Sequence, residues 1–188
     1  MKKFFCLTAV LATIFILFSC SSTPKGACVI EGNVAMPEFG MMYLVDYDGT
    51  KIDSASREAD GSFRFVHADS TVMPKIVVLE FRNPESEADV MYLPVALETG
   101  QVDIVLDEYV DLSGTPLNDE IALFFDDLQA VSDGFSAEIS TVEEMRKAYS
   151  AFYLGKMLEN GDNVFGDYLK LAYARELTSE DLAILLGE

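Results

Sequence analysis

Two patterns of hydrophobic and polar positions divide most of the chain. From residue 27 to about 113, short apolar runs rich in Val, Ile, Tyr and Phe alternate with polar turn residues. In the run SFRFVH, which begins at Ser62, phenylalanine occupies alternate positions, the period of a half-buried strand. Roughly seven or eight such runs, at intervals of about 10–12 residues, predict an antiparallel β-sandwich.

Turn residues separate these runs and refine the prediction. Asp48-Gly49 and Asp60-Gly61 each lie between two β-prone runs, and Asp-Gly is a preferred pair at the tip of a β-hairpin. Both pairs therefore predict hairpins. Pro94 lies inside the run YLPVAL, and because proline has no N–H to donate to a sheet, it predicts an edge strand or a bulge at that position.

From Thr115 onward the apolar spacing changes to that of helices. Thr115-Pro116 has the form of an N-cap followed by a first-turn proline, and Thr141 with Glu144 has the form of a capping box. Six apolar residues that share one helical face follow Pro116: Leu117, Ile121, Phe124, Phe125, Leu128 and Val131. Three or four helices are expected. The predicted fold class is α+β, an antiparallel β-sandwich over residues 27–114 followed by a small C-terminal helical region over residues 115–188.

The N-terminal segment is typical of an export signal. Lys2 and Lys3 precede an apolar run of about 15 residues, which is too short for a membrane-spanning helix and suits a signal peptide. The residues that end at Cys20 resemble a bacterial lipobox, and the polar stretch SSTPKG follows them. We therefore expect a lipoprotein signal peptide over residues 1–19, lipid on Cys20 and a tether over residues 20–26. The alternative is an ordinary signal peptide with a chance cysteine.

The acidity of the chain argues against nucleic acid as a partner, and it also argues against electrostatic attachment of the protein surface to a membrane. The formal net charge is −19. Removal of residues 1–19 makes it about −21, because that segment holds two lysines and no acidic residue. With no cluster of Lys or Arg, binding to nucleic acid is not expected. The acyl chains on Cys20 must then supply the attachment, and we expect a chain anchored in the bacterial cell envelope, in the outer membrane and facing the periplasm.

Cysteine usage argues against redox chemistry by the chain itself. Cys6 leaves with the signal peptide and Cys20 carries lipid, so Cys28 has no cysteine to pair with, and the sequence holds no CxxC motif. Cys28 lies in register with Ile30 and Val34 in the first predicted strand. Core packing is therefore expected for Cys28, with mixed-disulfide chemistry as the alternative.

No pattern of residues indicates a catalytic, metal or cofactor site. His67 is the only histidine and continues the alternation of the phenylalanines before it, so we expect it to pack at a strand end. A Ser-His-Asp triad would need this histidine, and the sequence lacks the G-x-S-x-G motif. The segment DYDGTKID, which begins at Asp46, lacks the spacing and the final glutamate of an EF-hand loop and favours a hairpin. Asp126 and Asp127 are expected on a solvated helix face.

Aromatic side chains are frequent in the helical region: Tyr149, Phe152, Tyr153, Phe165, Tyr168 and Tyr173. At helical spacing such residues are more often core than ligand contacts. Core packing is therefore expected, and a ligand groove is the alternative. Aromatic surface that stays exposed would suit a protein partner.

Several segments of the chain resemble one known family: VIEGNV, YLVDYDGTKIDSA with DGSFRF, LETGQVDIVLD, LSGTPLNDEI and ENGDNVFGDYLKL. They resemble the N-terminal domain of unknown function of Bacteroidetes TlpA-like thioredoxin lipoproteins, over about residues 26–188. The resemblance implies that a thioredoxin-like domain with a redox-active CxxC follows the helices in full-length relatives. Residues 1–188 contain no CxxC, so we expect no counterpart of those redox residues in this chain.

Together these observations predict a non-catalytic cell-envelope lipoprotein. It would be a binding or interaction module that contacts a protein partner through its helical region and needs no cofactor or metal. The alternative is an accessory to a thioredoxin-like thiol-disulfide oxidoreductase that acts in trans. A hydrolase is a third alternative, because the many carboxylates leave room for an acidic cleft.

The substitution Cys20→Ala should move the protein from the membrane fraction to the soluble fraction, because it removes the acylation site. The measurement is carbonate extraction of cell envelopes followed by immunodetection. Cys28→Ala is the matched control and should stay with the membrane. A Cys20→Ala variant that remained fully membrane-bound after the carbonate wash would contradict the lipid anchor.

Overall fold

The computed structural model of the chain describes residues 25–68, 74–135 and 141–188. Cys20 and the predicted signal peptide lie outside these ranges, so the lipid anchor stays a prediction. In the described residues, eight strands precede four α-helices. The strands are β1 Cys28–Val34, β2 Met41–Val45, β3 Lys51–Ser56, β4 Ser62–His67, β5 Lys75–Asn83, β6 Ser86–Leu97, β7 Gly100–Leu106 and β8 Val110–Ser113. The helices are α1 Pro116–Asp133, α2 Val142–Asn160, α3 Val164–Tyr173 and α4 Ser179–Leu186, with a 3-10 turn over Ala174–Glu176.

The strands form two four-stranded sheets and the helices follow them in the chain, which confirms the predicted fold class. The first sheet has the order β4-β1-β7-β8, and the second has the order β3-β2-β5-β6. Neighbouring strands are antiparallel except for β1 and β7, which are parallel. A parallel pair needs a crossover connection, and here that connection includes the whole second sheet.

The strands β2 and β3 form a hairpin around Asp48-Gly49, as the sequence predicts. Gly49 has a φ angle of +85° and donates its N–H to the Asp46 carbonyl at 2.9 Å. The Asp48 carboxylate accepts a hydrogen bond from the Thr50 N–H at 2.8 Å. Local turn chemistry therefore closes this hairpin.

The hairpin predicted at Asp60-Gly61 is wrong. A turn does form there, and Gly61 has a φ angle of +91°, but β3 and β4 belong to different sheets. β4 pairs with β1 instead, where Phe63 lies opposite Gly32, and any side chain at Gly32 would collide with the Phe63 ring. This pairing buries Phe63 and Phe65 in the core, whereas β3 is mostly exposed and offers β4 no such burial.

The two sheets enclose an apolar core that continues into the helices. Strand residues such as Leu79 and Ile104 are buried, and Ile121 and Phe124 of α1 belong to the same cluster. The other helices add further buried residues to it: Leu154, Met157, Phe165 and Leu169. One continuous core therefore joins the strands and the helices that the structure describes.

Pro94 lies in β6, an edge strand, as the sequence predicts. Two residues later, both backbone polar groups of Ala96 are bonded by the side chain of Asn118. The Ala96 N–H donates to Asn118 Oδ1 at 2.9 Å, and Asn118 Nδ2 donates to the Ala96 carbonyl at 2.9 Å. These groups of Ala96 point away from β5, and the alternation of an antiparallel ladder orients the Pro94 backbone the same way. Pro94 therefore removes no hydrogen bond from the sheet.

Asn118 is fully buried in the first turn of α1. Thr115 occupies the predicted N-cap position, but its hydroxyl accepts a hydrogen bond from Asn118 Nδ2 at 2.8 Å and does not cap the helix. The Leu117 N–H donates to the Glu98 carboxylate at 3.0 Å. These hydrogen bonds fix the start of α1 against the edge of the second sheet.

The later helices begin and end with the signals that the sequence carries. α2 starts with the predicted capping box of Thr141 and Glu144, and Gly187, with a φ angle of +73°, follows the end of α4. Within the described part of the chain, no helix combines the length and the apolar character needed to cross a bilayer.

The substitution Asn118→Ala should lower the free energy of unfolding by about 3 kcal/mol, because it leaves a buried donor and a buried acceptor of Ala96 without partners. Urea denaturation followed by circular dichroism measures the change. Asn33→Ala is the matched control. Asn33 is exposed and donates one hydrogen bond, to the Asp60 carbonyl at 3.1 Å, so its loss should lower the free energy by about 1 kcal/mol or less. Equal effects for the two variants would contradict the role given to Asn118.

Candidate functional site

Cys28 packs in the core, as the sequence predicts. It lies in β1 on the same face as Ile30 and Val34, and all three side chains are buried. Burial raises the pKa of the Cys28 thiol above its ordinary value. A thiol that is both buried and held in its neutral form is a poor nucleophile, so its position gives no support to mixed-disulfide chemistry.

His67 lies at the end of β4 and is half-buried there, on the same face as Phe63 and Phe65. Its Nε2 atom is buried and has no hydrogen-bond partner in the part of the chain that the structure describes. Among those residues, no three His, Cys, Asp or Glu side chains come together in a way that could hold a metal ion.

The carboxylates of the segment DYDGTKID stabilise a turn. Asp46 pairs with Lys75 of β5, and the Thr50 N–H and side chain hydrogen-bond to Asp48 and lower its pKa. Asp126 and Asp127 are exposed on α1, as predicted, and Asp127 accepts a hydrogen bond from Lys156 at 2.7 Å. These carboxylates act in local structure or face solvent, and they do not converge on one point.

The aromatic residues of the helical region pack mainly in the core, as expected. Phe165 and Tyr168 are buried, and Tyr149, Phe152, Tyr153 and Tyr173 are half-buried. Four of these rings lie around Phe124, and its ring centroid is 5.4 Å from those of Phe152 and Tyr173. Burial raises the pKa of Tyr153 to about 12. The favoured interpretation, core packing, therefore holds for most of this set.

A groove of about 890 Å³ lies elsewhere, between β6, β8 and α1, and is called the edge groove below. It is lined by residues 92–93 of β6, by Asp107 and residues 109–113, and by four residues of α1: Ala122, Phe125, Asp126 and Gln129. Its volume falls within the range of about 300–1,000 Å³ that is usual for ligand sites.

The position of α1 explains why the groove is open. Asn118 fixes the first turn of α1 at Ala96, and Tyr92 lies four residues further back along β6, ~13 Å away in an extended strand. The helix covers β6 at Ala96 and leaves the edge of the sandwich near Tyr92 uncovered.

Aromatic side chains stand at the walls of the edge groove and apolar ones form its floor. Tyr92 is 65% exposed and Tyr109 is 78% exposed, whereas Leu93 and Leu112 are buried members of the core. Exposed tyrosines above an apolar floor are typical of binding surfaces, because the ring supplies contact area at low conformational entropy and the hydroxyl a hydrogen bond. Sequence reasoning missed both tyrosines, although the run DEYVD places Tyr109 in a polar turn where no core role is available.

The edge groove is acidic. Three carboxylates line it, those of Asp107, Asp111 and Asp126, and none of its lining residues is Lys, Arg or His. A second concavity of about 720 Å³, lined mainly by residues of β1, β3, β4 and β7, differs because Arg64 lies among its three carboxylates, those of Glu31, Glu58 and Asp103. There Arg64 Nε donates to Glu31 at 2.7 Å. The edge groove therefore has three carboxylates and no cation among its lining residues, whereas Arg64 neutralises one of the three carboxylates of the second concavity.

The edge groove does not contain His67, the only histidine of the chain. Ser113 lines the groove, but His67 lies in β4, at the opposite edge of the first sheet from β8. Two strands lie between them, which separates the edges by about 14 Å. This histidine cannot act as a base for a group in the groove.

Comparison with known families gives one match. The family described as Domain of unknown function (DUF4369) matches residues 28–121, which is half of the chain. The chain belongs to this family. The matched segment contains β1 to β8 and the start of α1 as far as Ile121, and so includes Asn118 and two of the three walls of the edge groove. A search of curated proteins found no match.

Proposed function

We propose that this DUF4369 chain is a non-catalytic lipoprotein of the cell envelope that binds a protein partner in the edge groove. The observation that carries the proposal is the pair of exposed tyrosines, Tyr92 and Tyr109, at the walls of an open groove with an apolar floor. Large exposed aromatic surface on a folded domain marks interaction sites. Because α1 forms one wall, a partner there would contact the helical region.

The N-terminal segment supports the location that we propose. A lipid on Cys20 would hold the chain in the envelope, and we propose the outer membrane with the domain facing the periplasm. The formal net charge, −19 for the whole sequence and about −21 without residues 1–19, repels anionic lipid headgroups and nucleic acid alike. The acyl chains alone would therefore hold the chain at the membrane, and the acidic domain would stay free to meet a partner.

A second candidate function is that of an accessory to a thioredoxin-like oxidoreductase acting in trans. The resemblance to TlpA-like thioredoxin lipoproteins suggests it, and one observation favours it. Three apolar side chains near the C-terminal end of the described chain are more than half exposed: Leu171 of α3, and Ile184 and Leu186 of α4. Exposed apolar side chains suit a protein contact, and none of these three lines the edge groove.

Site-specific photocrosslinking in intact envelopes distinguishes the two functions. A benzophenone amino acid replaces Tyr109, Ile184 or, as control, Asp103, which is exposed on β7 outside the edge groove. The proposal predicts one saturable adduct at position 109 that excess purified wild-type protein competes away, and none at position 103.

Two outcomes would contradict the proposal. Adducts of equal yield at positions 109 and 103 would show that the edge groove has no preferred partner. An adduct at position 184 only, containing a thioredoxin-like protein by mass spectrometry, would establish the accessory function in its place.

A further inference from the structure

We propose that the edge groove binds an extended, positively charged polypeptide segment, which adds to β8 as a fifth strand of the first sheet. This inference rests on the proposed function, since it specifies the partner of the same groove. It follows from three features of the groove: a free edge on β8, an opposite edge on β6 that proline interrupts close by, and three lining carboxylates, those of Asp107, Asp111 and Asp126, which are called the rim below.

The edge groove runs along the free edge of β8. All four residues of this strand line it, and because successive side chains point to opposite faces, contact with all four places the groove at the edge of the strand. Within the described residues β8 pairs with β7 alone. In an antiparallel pair, alternate N–H and C=O groups point away from the partner strand. These groups of β8 face the groove and are available to a further strand.

The opposite wall is a poorer edge for an added strand, because β6 is interrupted close to the groove. On β6 the outward groups of Ala96 are already bonded by Asn118, and Pro94 has no N–H to offer. Proline on an edge strand is a usual means of preventing strand addition. β8 contains no proline, so an added strand pairs with β8, and β6 with α1 supplies the side walls.

The charge of the rim selects the added segment. Asp111 and Asp126 have no hydrogen bond or ion pair with any described residue, and the third rim carboxylate, that of Asp107, accepts one hydrogen bond, from the Tyr109 N–H at 3.0 Å. An acidic or neutral segment would leave this field uncompensated, whereas Lys or Arg neutralises it. In an extended segment every second side chain faces the same way, so alternate basic residues would face the rim together.

The exposed tyrosines also favour a basic segment. The faces of Tyr92 and Tyr109 attract cations as well as apolar side chains, and both rings stand where residues flanking the added strand would pass. A segment that alternates basic and β-branched residues therefore meets carboxylates and rings on one side and the apolar floor on the other.

Fluorescence anisotropy with the purified full-length chain tests the inference. The probe is a labelled Lys-Val-Lys-Val-Lys-Val peptide, compared with the same peptide N-methylated at alternate residues and with Glu-Val-Glu-Val-Glu-Val. The first should bind, the N-methylated form should bind at least about tenfold more weakly because it cannot pair as a strand, and the acidic peptide should not bind.

Matched variants locate the binding. Asp111→Asn and Asp126→Asn should each weaken binding of the lysine peptide by about 2- to 5-fold, and Tyr109→Ala by about tenfold. Asp103→Asn removes an exposed carboxylate of β7 outside the groove and should leave the affinity unchanged.

Three results would overturn the inference. Equal affinity of the lysine peptide and its N-methylated form would show that charge alone drives binding and that no strand is added to β8. An equal effect of Asp103→Asn and Asp111→Asn would move it away from the groove. Binding of chitohexaose without binding of the lysine peptide would assign the groove to sugars. If any of these were found while the adduct at position 109 persisted in envelopes, the proposed function would stand and only the class of partner would be wrong.

Discussion

The hydrogen bonds between the Asn118 amide and the backbone of Ala96 fix how helices and sheets meet in this molecule. A buried edge strand with unpaired N–H and C=O groups would be destabilising by about 1–3 kcal/mol for each group. Asn118 supplies one donor and one acceptor at 2.9 Å each and so replaces a missing strand at a single residue. Because it lies in the first turn of α1, the same contact sets where the helix begins and which part of the edge it covers.

The contact between Asn118 and Ala96 affects the two strand edges that flank the edge groove, β6 and β8, differently. On β6, the edge is occupied at Ala96 and interrupted at Pro94, so it resists further pairing. On β8, nothing in the described residues takes the outward backbone groups, and Asp111 and Tyr109 stand beside them. The edge groove is therefore the part of the sandwich that α1 leaves open. Its negative charge comes from Asp107, Asp111 and Asp126, and charged side chains beside an exposed strand edge also discourage aggregation.

Local signals in the sequence predict the elements well and their partners less well. Gly49 and Pro94 have the roles that turn and edge rules give them, because those rules depend on φ angles and missing N–H groups within a few residues. Gly61 also forms a turn, but the burial of Phe63 decides which sheet its strand joins, and that depends on β1, some 30 residues earlier in the chain. Asn118 looks like an ordinary residue of a helix start, since its partner lies 22 residues away. Tyr109 gave a weak signal, a large aromatic residue in a polar turn, whose meaning depends on the helix that folds beside it.

Hydrogen–deuterium exchange resolved to single amides tests most directly the claim that Asn118 closes one edge and leaves the other open. We expect the Ala96 amide to exchange only through global unfolding, and to lose this protection selectively in Asn118→Ala. Alternate amides of β8 should exchange quickly in the free protein, because no described strand pairs with that edge. Fast exchange at Ala96 in the wild-type chain, or uniform protection along β8, would contradict the claim.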